Sequence, residues 1–122
     1  MIRRLQEAYP LIQKGRTAPH EVLEEARRLA ASGERRSRAV AALVVAQVAA
    51  WHPHEVTTEL ERWAADHDAR LRLAAATAVR ACAAGEVEHL LPVLAALRTD
   101  GDAEVRRALA AAVAAAGVRR HD

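Results

Sequence analysis

The sequence predicts an all-α solenoid, with three helix-turn-helix units of 34 residues stacked behind an N-terminal capping segment, about seven helices in one domain spanning 1–122. Three observations lead there. A fixed internal period is the first: offset by 34 residues, Pro19-His20-Glu21-Val22 falls on Pro53-His54-Glu55-Val56, and 15 of 34 positions between 19–52 and 53–86 are identical. Such self-similarity outranks any single motif as a guide to architecture. Composition is the second. Alanine supplies 31 of 122 residues, phenylalanine is absent, and the aromatics are Tyr9, Trp51 and Trp63, so a core must come from closely approaching helices rather than sheets. The third is spacing: Leu71, Ala74, Ala75, Ala78, Val79 and Cys82 recur at intervals of three and four, as do Val105, Ala108, Leu109, Ala112, Val113 and Ala116, the period of one helical face.

Taken in chain order, residues 1–18 form the cap. Stepping back 34 residues from Arg38 reaches Arg4, which puts 1–14 where the second helix of an incomplete leading repeat belongs, with Pro10 weakening it as a straight helix. Repeats follow at 19–52, 53–86 and 87–120. Pro19 and Pro53 stand near the first position of a first helix, and Glu21 and Glu55 place negative charge at its positive end. The first helices break at Ser32-Gly33, Asp66-His67-Asp68 and Asp100-Gly101-Asp102, where a short polar side chain caps the second helix. The third copy matches the second at ten positions, among them Leu60 with Leu94, Asp66 with Asp100, Asp68 with Asp102 and Val79 with Val113, and its first helix has diverged most. One such hairpin cannot bury its apolar face, so the units must share a continuous core.

Two segments carry a family resemblance. Trp63-Ala64-Ala65-Asp66-His67-Asp68-Ala69-Arg70-Leu71-Arg72-Leu73-Ala74-Ala75-Ala76 and Asp100-Gly101-Asp102-Ala103-Glu104-Val105-Arg106-Arg107-Ala108-Leu109-Ala110 resemble the HEAT repeat, with its acidic turn, aliphatic-Arg pair and small residues in the second helix. The resemblance implies a right-handed α-solenoid and says little of function, since such stacks serve many roles. Trp51-His52-Pro53-His54-Glu55-Val56, followed by Leu60-Glu61-Arg62-Trp63-Ala64-Ala65-Asp66, is similar to repeats of the HEAT-like alkylpurine DNA glycosylases. That similarity implies a basic face held against duplex DNA. The catalytic Trp, Asp and Arg of those enzymes match no position here, so no catalytic residue is carried over.

The formal charge is +2, and 17 arginines stand against the single Lys14. Coding bias that favours arginine and alanine together explains this blandly. An arginine-lined surface for phosphate or carboxylate explains it functionally, and a charge of +2 does not decide between them. Arg38, Arg72 and Arg106 recur at equivalent positions. One reading is a structural ladder in which Asp66 or Asp100 pairs with these arginines and holds the stack in register. In the other, Arg35, Arg36, Arg70 and Arg107 form a free stripe on the inner surface, open to phosphates or an acidic peptide. Trp63 aligns with Leu29 and Leu97 and is expected in the core, whereas Trp51, aligned with Gly85, is a candidate contact residue.

Catalytic chemistry finds no foothold. No nucleophile motif, glycine-rich phosphate loop or metal-ligand spacing is present; His20, His52 and His54 lack converging partners, and Cys82 lies on an apolar face as a small core residue. No enzyme activity and no cofactor are expected. A single cysteine and the absence of a long apolar run suggest a cytoplasmic protein with no membrane partner. Single-stranded nucleic acid would need aromatic platforms that the chain lacks. The expected function is a non-catalytic protein-protein interaction scaffold or adaptor using the concave surface of the second helices. Self-association through 103–117, with Val105, Leu109 and Val113, is a related expectation. The alternative is a duplex DNA-binding module using the arginine stripe, and a third reading makes the chain a piece of a larger protein.

Overall fold

The computed structural model describes residues 2–82 and 88–121, and among these it is all-helical, without strands. The helices are α1 (Ile2–Gly15), α2 (Pro19–Ala31), α3 (Arg35–Trp51), α4 (Pro53–Ala64), α5 (Ala69–Cys82), α6 (Leu91–Arg98) and α7 (Ala103–His121). A 3-10 turn, Glu88–Leu90, precedes α6. Two layers result: α1, α3, α5 and α7 pack successively side by side, while α2 packs on α4 and α4 on α6.

Local sequence explains the segmentation. Proline occupies the first turn of α2, α4 and α6, where its missing N–H is no loss. Glu21 and Glu55 sit in the first turns of α2 and α4, where carboxylates oppose the helix dipole. After α2 the chain leaves the helix through Gly33 at φ +85°, a conformation that a Cβ would strain. The next two turns share another device. Asp66 Oδ1 accepts the Asp68 N–H at 2.8 Å and Asp68 Oδ1 accepts the Arg70 N–H at 2.9 Å; Asp100 and Asp102 repeat this at 2.9 and 2.8 Å. The first Asp folds the turn and the second caps the following helix. Glu34 holds the corresponding place before α3 but makes no side-chain cap bond, because its extra methylene carries the carboxylate past the short return that Asp makes.

Two expectations need adjustment. Pro10 lies inside a continuous α1, with its ring exposed to solvent, and does not break the helix. In the third copy, divergence at Leu91-Pro92 leaves a first helix of eight residues behind the 3-10 turn.

The core runs unbroken between the layers. Alanines at 41, 74, 75, 76 and 78 are buried where second helices meet, and Val44, Val45 and Val48 fill the space beside them. Small side chains allow close approach, and Trp63, fully enclosed, supplies the largest single block of apolar surface. Gly15 marks the tightest approach: a Cβ there would stand 2.6 Å from Val48 Cγ2. Gly15→Ala is therefore expected to lower stability by about 1–3 kcal/mol, despite alanine's better helix propensity. Val48→Ala in the same chain should restore most of that loss. Urea midpoints of the four proteins test this, and a Gly15→Ala chain as stable as the parent would contradict the packing described.

Candidate interaction surfaces

The three turns that lead into α3, α5 and α7 adjoin along one edge of the molecule. Arg72 bridges two of them. Its Nε donates to Asp100 Oδ2 at 2.8 Å, while Nη1 donates to the carbonyls of Asp66 and His67, both at 2.9 Å. Arg106 Nη1 closes its own turn by donating to the Asp100 carbonyl at 2.6 Å. Asp66 meets a cation of α2, Arg27, at 3.4 Å. Arg38 makes no side-chain hydrogen bond or ion pair among the described residues, so the Arg38–Asp66 link that the repeat suggested is absent, and Arg27 takes its place.

Of the four arginines expected to be free, two are engaged. Arg36 is ion-paired with Glu7 of α1. Arg70 pairs with Asp68 at 2.8 Å and lays its side chain across Gly33. The Arg70 guanidinium, by hydrogen bonding first and then through its backbone N–H, holds the Asp68 carboxyl below the ordinary range. Arg35 and Arg107 are exposed and carry no ion pair among the described residues. Counting charges over the turns 32–38, 66–72 and 100–107 gives seven arginines against six carboxylates. This edge is internally neutralised rather than a basic stripe.

The layer of second helices is different. α3 and α5 contain six arginines and no carboxylate, and Glu104 is the one carboxylate of α7. The solvent side of this layer is made of small or apolar residues, with Leu43, Ala46 and Leu73 half-buried and Gln47 and Ala50 exposed, punctuated by exposed Arg80 and Arg107. Acidic side chains concentrate instead on α2 and α4, which carry three glutamates each.

Trp51 is 37% exposed, and the Arg16 guanidinium lies 5.5 Å from its ring centroid, within cation–π range. His52 Nε2 is 2.8 Å from the Arg16 carbonyl oxygen, tying the same two segments. His20 and His54 are exposed, and no group of three or more His, Cys, Asp or Glu among the described residues is arranged to hold a metal. His89 was not foreseen: its Nδ1 lies 2.8 Å from Thr57 Oγ1, locking the start of the third unit onto α4.

Cys82 is buried, and burial alone raises its thiol from 9.0 to about 11. Below pH 9 the thiol is protonated in both folded and unfolded chains, so its contribution is complete. Between pH 9 and 11 the unfolded chain ionises and the folded one does not, so stability falls by about 1.4 kcal/mol per pH unit over that window. Cys82→Ala should remove this component, and the difference between the two proteins' urea midpoints at pH 8 and pH 10.5 measures it.

Two further surfaces escaped the sequence reading. At one end, a cleft of about 600 Å³ opens between α1 and α2 over part of α3. At the other, Leu91 and Val113 are 58% and 52% exposed. The signal for the cleft was present in the register, since Glu7 and Lys14 stand where Ala41 and Val48 stand one period later. No helix among the described residues is long and apolar enough to cross a membrane. Comparison with protein-family models, curated proteins and solved structures yields no match.

Proposed function

We propose that the chain is a right-handed, HEAT-like α-solenoid that serves as a non-catalytic protein-protein interaction scaffold, presenting its layer of second helices to a partner. The 34-residue identity of the sequence and the successive packing of α1, α3, α5 and α7 support the architecture. The partition of charge carries the function. A face of small and apolar side chains, dotted with Arg80 and Arg107 and nearly free of carboxylates, suits a partner segment that is apolar and acidic.

The duplex-DNA reading rests on the same arginines and is weakened by their engagements. Phosphate binding needs several cations free to track the backbone, whereas Arg36, Arg70, Arg72 and Arg106 are occupied within the chain. A photo-crosslinking residue placed at Gln47 or Arg80 is expected to trap one discrete protein in cells, and the same residue at Thr58 or Glu61, on α4, is expected to trap none. In parallel, anisotropy of a labelled duplex is expected to show no saturable binding at low salt. Saturable binding that weakens steeply with salt would replace the scaffold reading with the DNA one, and crosslinks confined to α4 would overturn the assignment of the face.

A further inference from the structure

We propose that the cleft between α1 and α2 is an exchangeable seat for an amphipathic α-helix of a partner protein, one whose polar flanks are basic. The position of the cleft identifies a helix as its occupant. α2 itself packs against α3, α4 and α5, that is, against its own second helix, the next first helix and the next second helix. One period earlier the corresponding three elements are α1, α2 and α3, and residues of these three line the cleft. Its volume, about 600 Å³, falls within the usual span for ligand-holding clefts, about 300–1,000 Å³.

Chemistry narrows the occupant. Leu11, Val22, Leu29 and Val40 form the apolar lining, and the residues 34 positions later, Val45, Val56, Trp63 and Ala74, are all buried at 0–1% exposure. A matching apolar stripe at helical spacing would bury Leu11 and Leu29 likewise. The rim carries Glu7, Glu21, Glu24 and Glu25 against Lys14 and Arg28. Three of these carboxylates are held in exposed pairs, with Arg36, Lys14 and Arg28, which bind weakly and rearrange readily. Glu24 has no ion pair among the described residues. The rim therefore favours a cationic partner. Exchangeability follows from Glu7 and Lys14, because at these positions the next period has fully buried Ala41 and Val48. Polar side chains there keep the empty cleft hydrated, so the seat need not be permanently filled.

This inference concerns a different face from the second-helix layer, and its test reads separately. Two labelled peptides of about 18 residues, long enough for five helical turns, share one leucine stripe at helical spacing and carry either lysine or glutamate on their flanks. Anisotropy against the full chain at low salt is expected to show the lysine peptide binding about tenfold more tightly, a difference of about 1.4 kcal/mol. The doubly substituted Glu21→Lys, Glu24→Lys protein, changed only at exposed positions and checked by circular dichroism, should invert that order. Val113→Asp, at the far end, should leave it intact. Equal affinities, binding of neither peptide, an order unchanged by the charge reversal, or binding lost through Val113→Asp would each overturn the proposal.

Discussion

Trp63→Ala is expected to remove about 3–5 kcal/mol of unfolding free energy, the range for deleting a large aromatic from a well-packed interior. The indole is completely buried, and its Nε1 donates to Glu59 Oε2 at 3.0 Å. Truncation thus opens a cavity and also strips a hydrogen bond from a carboxylate whose side chain is only 13% exposed. A domain of this size is held by about 5–15 kcal/mol in total, so the variant should be partly unfolded at physiological temperature. Trp63→Leu should lose less than half as much, since leucine fills the equivalent positions 29 and 97. Urea titration followed at 222 nm measures both variants. A Trp63→Ala chain within about 1 kcal/mol of the parent would show that the site collapses around the loss, and that the indole does not anchor the core.

Asp100→Ala carries the second large effect, expected at about 2–4 kcal/mol. The Asp100 side chain is 5% exposed and does two things at once, fixing its own turn through Oδ1 and receiving Arg72 through Oδ2. Its removal leaves a guanidinium only 21% exposed without its carboxylate, together with an unsatisfied turn N–H. Asp100→Asn keeps the turn bond and should lose roughly half as much. A double-mutant cycle with Arg72→Met should give a coupling above about 1 kcal/mol. The exposed pair of Arg27 and Asp66, at 3.4 Å, sets the contrast, with an expected coupling below about 0.5 kcal/mol. Equal couplings in the two cycles would remove the distinction drawn between a buried link and a surface one.

Burial of Trp63, exposure of Trp51 and the positions of the helix breaks were legible in the sequence, because the repeat aligns each residue with equivalents whose chemistry constrains it. Leu29 and Leu97 mark position 63 as apolar, and the paired aspartates at 66, 68, 100 and 102 mark turns. Pairing between side chains was not legible. Arg36 finds Glu7 because α1 lies beside α3, and Arg16 finds Trp51 because two chain ends meet; neither follows from a 34-residue offset. Arg38 illustrates the same gap, since it shares a sequence position with Arg72 but not its partner. Register predicts location, whereas a long side chain selects among neighbours by fractions of a kcal/mol.

The Arg72–Asp100 bridge has a further consequence for how such a chain can change its length. The guanidinium belongs to the start of one 34-residue block and the carboxylate to its end, so a tandem duplication of residues 69–102 copies donor and acceptor together with the Asp-x-Asp turn that positions them. A new unit would arrive with its link to the next already encoded, and a deletion of the same block would remove both halves without stranding either charge. Gain or loss of whole units is then close to neutral for the electrostatics of the junction, while a shift of even a few residues within a unit is not. The bridge thereby acts as a reading frame for recombination, admitting changes in multiples of 34 and penalising all others.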